Sequence, residues 1–261
     1  MRIALGLEFD GTAFHGWQSQ PDGSGVQNAL EHALSGVAGV QVRLTAAGRT
    51  DAGVHATIQV VHFDVDVVRP ESAWLRGVNS LLPPAVVVRW AVPMPAEFHA
   101  RYSATGRHYT YLLLDRPVRP ALLASRVGWY HRPLALGAMR EAAGALLGVH
   151  DFSAFRAAEC QARTPIKTLD RLDIAREGDM LRFDLHADAF LQHMVRNIVG
   201  TLVYVGNGRH PAAWAAEVLA SRDRSRAAPT FSAAGLYLTG IDYAPRWNLP
   251  DTRQPVVITG Q

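Results

Sequence analysis

Two hydrophobic periods alternate along the first half of the chain. Residues 58–65 change face at every step, which is the period of a strand that is buried on one side. Leu30, Ala33, Leu34 and Val37 instead repeat at the spacing of one helical face. These periods predict the following elements, in order: strand 3–9, helix 26–37, strand 42–46, strand 59–65, helix 70–81 and strand 85–91.

The second half mixes the same two periods and contains one clear hairpin. Leu172 and Ile174 alternate with polar residues before a turn at residues 176–179, and the alternation resumes after the turn at Leu181, Phe183 and Leu185. Around this hairpin the pattern predicts strand 109–114, helix 136–147, helix 189–205, helix 211–220 and strand 236–243.

The similar order of elements in the two halves predicts the fold class. We expect an α+β protein made of two related halves, whose sheets are mostly antiparallel and are flanked by helices. A segment with Pro93 and Pro95 lies close to the junction. The predicted domains are residues 1–103 and 104–245, and the polar, proline-containing tail 246–261 is expected to be an appendage.

Composition excludes several classes of protein. Cys160 is the only cysteine among 261 residues, so neither an internal disulfide nor a cysteine-ligated metal cluster can form. The most apolar stretch, residues 190–205, contains Gln192, His193, Arg196 and Asn197, so no membrane span is expected. The N-terminal apolar run is too short for a signal peptide and meets Glu8. We therefore predict a cytoplasmic protein.

The charge of the chain is mildly basic. The formal net charge is +3, and Lys167 is the only lysine among 26 basic residues. Arginine forks match phosphate groups and stack on bases better than ammonium groups do. Biased codon usage would give the same excess of arginine. The charge is therefore compatible with an RNA partner and does not identify one.

The segment from Gly48 to Ala56 is the most unusual in the chain. It places Arg49 and Asp51 between glycines, in a short loop between two predicted strands. Glycine permits close approaches that other residues forbid, so such a loop can hold a carboxylate at a fixed angle. A nearby cation such as Arg49 would keep Asp51 ionised and ready to act as a nucleophile. Aspartate in this setting is also common in ordinary turns, so the loop alone leaves both interpretations open.

Five segments, including this loop, together resemble the motifs of the TruA-type pseudouridine synthases. In chain order they are FDGTAFHGWQ at 9–18, GRTDAGVHA at 48–56, FHARYSATGRHYTY at 98–111, DFSAFR at 151–156 and HMVRNIVG at 193–200. The similarity extends from about residue 3 to residue 243. Phe9 and His108 depart from the tyrosine and the basic residue that are usual in the family. Trp17 either lies near the RNA or anchors its loop.

This resemblance implies a pseudouridine synthase fold with an active-site cleft between the two halves. The implied reaction isomerises uridine to pseudouridine at positions 38, 39 and 40 of the tRNA anticodon stem-loop. Asp51 is the implied nucleophile, and it attacks either the uracil ring or the anomeric carbon of the ribose. No metal or organic cofactor is implied, because the redox state does not change. The implied partner is tRNA, and the implied assembly is a homodimer.

Two further residues match functional positions of the family. Tyr109 matches a tyrosine that stacks on the target base, although Tyr111 lies on the same strand face and the spacing does not separate the two. Arg196 matches an arginine that pairs with the nucleophilic aspartate, so that an Asp51–Arg196 pair would join the two halves. Arg196 lies opposite the apolar stripe of its predicted helix. Gly200, one turn later, carries no side chain, so another group could approach the helix backbone there.

Other functions fit the sequence less well. A non-catalytic RNA-binding protein would gain nothing from an anionic Asp51 facing phosphate-rich RNA. Glycoside hydrolysis would require a second carboxylate paired with Asp51, and the motifs supply none. Metal binding by Asp51, His55 and His62 lacks any established ligand spacing, so no metal is expected.

Overall fold

A computed structural model describes residues 1–257 of the protein. These residues form two compact units. The first unit consists of residues 1–106 together with the segment from 237 onwards, and the second consists of residues 107–236. Each unit contains both strands and helices, so the predicted α+β class is confirmed.

The sheet of the first unit is organised around β1 (Arg2–Phe9). β1 pairs antiparallel with β3 (His55–Asp64) on one side and with β4 (Val86–Met94) on the other. β2 (Leu44–Ala46) pairs antiparallel with β3, whereas β10 (Leu236–Tyr243) pairs with β3 in parallel. The apolar side chains of β1 are buried on both faces of the strand.

Two helical segments accompany this sheet. α1 (Val26–Ala38) ends at Gly39, whose φ of 75° lies in the left-handed region that favours glycine at a helix C-terminus. The helix predicted at 70–81 is less regular, because a π-helical stretch, Ala73–Gly77, precedes α2 (Val78–Leu81). The predicted helix is thus present with a different hydrogen-bond pattern in its middle.

The second unit has a sheet with the strand order β5 (Ala104–Asp115), β9 (Met180–Ala187), β8 (Ile166–Glu177) and β7 (Gly148–Asp151). All three neighbouring pairs are antiparallel, and the short β6 (Gly128–Tyr130) joins β5 in parallel. The predicted hairpin is confirmed, because β8 and β9 flank a turn that contains Gly178 with φ 57°. Both units therefore have the mostly antiparallel sheets that the sequence predicts.

The helices of the second unit are α3 (Leu136–Gly144), α4 (Met194–Gly206) and α5 (Trp214–Ser221). The helix predicted over 136–147 ends earlier, at Gly144, because the N–H groups of Leu146 and Leu147 donate to carbonyls three residues back, in turns and not in an α-helix. α4 begins five residues later than the predicted 189, directly after His193. His193 has φ 64°, a left-handed conformation outside the helical region, so the helix cannot extend further back.

The two compact units differ from the predicted domains at the C-terminus. Residues 104–245 were expected to form one domain, yet β10 pairs with β3 through Tyr237 and Leu238 and belongs to the first unit. The tail packs on the same unit: Trp90 Nε1 donates to Asp251 O over 2.9 Å, and Arg253 forms a β-bridge with Gly240. Residues 258–261 of the predicted tail lie outside the described residues.

The pairing of β10 with β3 joins segments about 180 residues apart, which periodicity does not reveal. None of the helices within residues 1–257 combines the length and the apolar character that crossing a lipid bilayer requires.

Candidate active site

Asp51 lies in a tight turn between β2 and β3. The backbone N–H of Val54 donates to the carbonyl of Asp51 over 3.1 Å, and Gly53 has φ 76°. A glycine with positive φ at the third position is typical of a type II turn. The side chain of Asp51 is half-buried, and that of Arg49 in the same loop is exposed. The turn is therefore closed by main-chain atoms.

The first loop, residues 10–17, packs its backbone directly against this turn. Trp17 N–H donates to Thr50 O over 3.0 Å, and a Cβ at Gly16 would lie only 2.9 Å from the same oxygen. A Cβ at Gly11 would overlap the carbonyl of Val54. Side chains at these two glycines would push the loops apart, so the first loop braces the Asp51 turn through contacts that need glycine.

Three aromatic side chains hold the first loop in place. Trp17 is 1% exposed and packs against Phe9, with ring centroids 5.8 Å apart, so Trp17 anchors its loop. His55 Nδ1 accepts from Gly11 N–H over 3.1 Å, and the His55 ring stacks on Tyr237 of β10. At position 9 the phenylalanine makes a purely apolar contact.

Tyr109 and Tyr111 share a strand face, as the sequence predicts, but their surroundings differ. Tyr111 is fully buried, its hydroxyl donates to Ser232 O over 2.8 Å, and burial raises the pKa of the phenol. Tyr109 keeps 9% of its surface exposed and meets Phe190 edge to face at 5.0 Å. The hydroxyl of Tyr111 is thus hydrogen-bonded inside the second unit, whereas Tyr109 keeps slightly more of its surface exposed.

Arg196 is anchored at the start of α4. Its Nε donates to Phe231 O over 2.8 Å, and its side chain is half-buried. Its positive charge opposes the rise in the pKa of Tyr111 that burial causes. The hydrogen bond to Phe231 O positions the guanidinium at the start of α4.

The polar side of α4 beyond Arg196 is not a solvated face. Asn197 is 0% exposed: its amide donates to Phe155 O, and its Oδ1 accepts from Arg224 at 3.0 Å and from Thr230 at 2.7 Å. A Cβ at Gly200 would lie 2.5 Å from Pro229 O, so the bare backbone expected there is covered by the chain itself. The polar residues of this helix therefore organise the interior of the second unit.

The two histidines considered as metal ligands, His55 and His62, accept hydrogen bonds from backbone N–H groups. His62 is 5% exposed, and its Nδ1 accepts from Ala100 N–H over 3.2 Å. Burial, together with the charge of Arg2, lowers the pKa of His62 to about 4.

His108, which stands where a basic residue is usual in the family, stacks on His186 across the β5–β9 pair, with ring centroids 4.3 Å apart.

One polar atom beside Asp51 stands out. The hydroxyl of Thr50 is buried and has no hydrogen-bond partner among residues 1–257. The sequence predicts neither a role for Thr50 nor the contacts of Gly11 and Gly16 with the Asp51 turn. The only available signal was the presence of both glycines in the first motif; the contact itself joins loops far apart in the chain.

Comparison with known proteins identifies the family. The family described as tRNA pseudouridine synthase matches residues 7–103 and 142–244, which is more than half of the chain. The chain belongs to this family. Arg49, Asp51 and Arg196 lie in the two matched stretches, and Tyr109 lies in the segment between these stretches.

Curated relatives of the tRNA pseudouridine synthase family are similar over nearly the whole length. The tRNA pseudouridine synthase A of Aromatoleum aromaticum is 60% identical over 258 residues, which cover 99% of this chain and 98% of the relative. Those of Dechloromonas aromatica and Chromobacterium violaceum are 60% and 61% identical over 251 residues, with 96% of both chains covered in each case. The similarity thus includes all five motifs.

Proposed function

We propose that the protein converts uridine to pseudouridine at positions 38, 39 and 40 of the tRNA anticodon stem-loop, with Asp51 as the nucleophile. The observation that carries this proposal is the Asp51 turn: a half-buried carboxylate in a glycine-braced loop of a chain that belongs to the tRNA pseudouridine synthase family. Backbone contacts that fix the loop also fix the direction from which its carboxylate can attack.

The reaction is an isomerisation in which the bond between N1 of uracil and C1′ of ribose breaks and a bond between C5 and C1′ forms. Asp51 attacks either C6 of uracil or C1′, and the adduct collapses once the base has turned. The proton on C5 leaves and N1 gains one, so atoms and electrons balance without an oxidant or reductant. Neither a metal nor an organic cofactor has a step to perform in this scheme.

Three other side chains have proposed roles. Tyr109 stacks on the target base and assists removal of the C5 proton; its match to the family motif supports this choice over Tyr111, which is fully buried with its hydroxyl donating to Ser232 O. Arg196 pairs with the Asp51 carboxylate and favours its anionic form. Arg49, exposed in the Asp51 loop, adds positive charge that favours the same form.

The partners follow from the same proposal. The substrate is tRNA, the protein acts as a homodimer, and it works in the cytoplasm. Arginine supplies almost all of its basic residues, which suits contacts with tRNA phosphates.

The direct test is to incubate the protein with an unmodified tRNA transcript and map pseudouridine along the strand. We expect modification confined to uridines at positions 38–40, and none when each is replaced by cytidine. Exhaustive chelation should leave the rate unchanged. Tight tRNA binding without pseudouridine formation would instead support a non-catalytic RNA-binding protein, and modification at another site would refute the assignment of positions.

A further inference from the structure

A second candidate site lies in the second unit, around the C-terminal end of α4. A cavity of about 480 Å³ is lined by residues from the end of α4, the start of α5 and the segment 224–229. This volume is within the range of pockets that hold small molecules or single nucleotides. None of the roles assigned above to Asp51, Arg49, Tyr109 or Arg196 uses this cavity.

Parallel aromatic rings form one side of the cavity. His210 stacks on Trp214 with ring centroids 3.8 Å apart and an angle of 12° between the planes. Tyr204 lies 6.2 Å from each of them and is tilted by only 13° and 15°. All three side chains are half-exposed, so they offer π faces to a further planar group. Nucleobases stack on such rings with little dependence on base identity.

The chain fixes this stack locally. α4 ends at Gly206, and Gly208 with φ 77° turns the backbone so that the N–H groups of Arg209 and His210 both donate to Tyr204 O. The Arg209 guanidinium then lies 4.5 Å above the Tyr204 ring. A cation over a ring that faces a pocket keeps its charge available to a ligand while the stack stays ordered.

The other side of the cavity is cationic. Among its lining residues, all within the described part of the chain, three are arginines and none is a carboxylate. Arg224 is half-buried, and its side-chain hydrogen bonds go to neutral oxygens of Asn197, Ala227 and Thr230. Burial lowers the pKa of Arg224 accordingly. A partly buried guanidinium held by neutral partners leaves a positive charge that an anion can balance.

Arg226 adds a second, exposed charge at the rim. The nearby carboxylate of Asp223 accepts from both N and Oγ of Ser225, and these hydrogen bonds are the main cause of its lowered pKa, ahead of the charge of Arg226. The Asp223 carboxylate therefore accepts its hydrogen bonds from Ser225. The planar Arg226 guanidinium is suited to binding phosphate oxygens.

We propose that this cavity binds one unpaired nucleotide of an RNA strand, with the base extending the Tyr204, His210 and Trp214 stack and the phosphate facing Arg224 and Arg226. The inference rests on the proposed function in taking that strand from tRNA, at a nucleotide other than the uridine that is modified. Aromatic faces beside arginines, with no carboxylate among the lining residues, are the combination that single-stranded RNA contacts use.

The test compares tRNA affinity in matched variants of the full chain. Arg226→Ala should weaken binding of unmodified tRNA and lower the slope of log affinity against log salt by about one. Arg119→Ala removes the same charge from an exposed loop of the same unit and should do neither. Single-turnover rates at saturating tRNA should stay at the wild-type level in both. Equal losses in the two variants would overturn the site.

Stacking is tested separately at Trp214. Trp214→Ala should weaken tRNA binding roughly fivefold or more, and Trp214→Phe should recover most of it, because a smaller ring still stacks. Thermal unfolding of each variant checks the fold; if Trp214→Ala is unstable, Trp214→Phe and Arg226→Ala still decide. Wild-type affinity in Trp214→Ala, or a changed oligomeric state in place of changed affinity, would refute the proposal.

Ultraviolet cross-linking locates the contact and separates the possible sources of the nucleotide. A cross-link between tRNA and the peptide containing Trp214 is expected, and a tenfold excess of uridine monophosphate should not abolish it. Competition by the free nucleotide would indicate a small-molecule site and contradict binding of an RNA strand. Pseudouridine formation measured on the same samples keeps the two proposals distinct, since it can persist when this cross-link is absent.

Discussion

The Asp51 turn of the first unit and the start of α4 in the second unit are built in opposite ways. Main-chain hydrogen bonds and glycines that allow close backbone contact hold the Asp51 turn. Buried side chains hold the start of α4, where the amide of Asn197 connects Phe155, Arg224 and Thr230. We therefore expect side-chain substitutions in the turn to lower the stability of the protein less than substitutions around α4, where buried side chains make the contacts.

The sharpest test of this contrast is Asp51→Asn. Because Asp51 closes its turn through its carbonyl, the amide variant should fold normally and keep its tRNA affinity, which comes mainly from phosphate contacts. Pseudouridine formation should fall by roughly 10⁴-fold or more. Single-turnover assays and tRNA binding measure the two effects. Activity near the wild-type level would remove the nucleophile assignment.

Arg196 tests whether a residue of the α4 region also takes part in the chemistry. If it stabilises the Asp51 anion, Arg196→Ala should lower the single-turnover rate by roughly 10²-fold, and Arg196→Lys by less, since lysine restores charge without the fork. Normal rates with weakened, less salt-dependent binding would instead mark Arg196 as a phosphate contact.

Asn197→Ala should damage stability more than any substitution in the Asp51 turn. It removes the amide that donates to Phe155 O and one hydrogen bond each from Arg224 and Thr230, which should cost about 2–4 kcal/mol of unfolding free energy. Denaturant unfolding of the second unit measures the loss. Asn197→Asp, which keeps an acceptor for Arg224, is the matched control and should lose less. If Asn197→Ala has the unfolding free energy of the wild type, the proposed difference between the two regions is wrong.

Gly11→Ala should show that the turn depends on backbone contact. The added methyl group would overlap Val54 O, so the first loop must move, at a cost of about 1–3 kcal/mol and with a loss of activity. Gly48→Ala provides the control, because nothing lies within 4 Å of a Cβ there. Equal activity and stability in the two alanine variants would contradict the bracing role of the first loop.

The smallest expected effect concerns His62. Burial lowers its pKa to about 4 in the folded protein, so on acidification the unfolded chain takes up a proton near pH 6.5 before the folded protein does. Stability from the neutral imidazole is therefore fully present above pH 6.5 and is lost as pH falls toward 4. Between pH 7 and 5 the loss should be about 1–2 kcal/mol. His62→Gln should unfold with a shallower pH dependence, and an unchanged slope would argue against this origin.

The predictions from sequence succeeded where local periodicity determines the structure. The hairpin of β8 and β9, the position of α1 and the limits of β10 were all predicted closely, because alternating or helical spacing reflects which faces are buried. The boundaries shifted where another contact intervened. Turn hydrogen bonds at Leu146 and Leu147 replace the end of the predicted helix 136–147, and the left-handed His193 delays the start of α4.

The motif residues were found from sequence, but their supports were not. Asp51 stands out because glycines and an arginine surround it within nine residues. The braces at Gly11 and Gly16 are about 40 residues away and act through contacts of their backbone, for which the sequence carries no side-chain signal. Similarly, Asn197 and Gly200 lie opposite the apolar stripe of their helix, and that spacing is the same whether water or buried chain covers them.

The sequence by itself determined the α+β class, most of the elements, the five motifs and the position of the candidate nucleophile, because these depend on residue type and short-range spacing. Only the tertiary structure decided that β10 joins the first unit, that Tyr111 is engaged with Ser232, and that the polar side of α4 is interior. Each of these depends on which distant segment supplies the neighbouring atoms. Such pairing between distant segments is set by packing of the whole chain, and hydrophobic period cannot encode it.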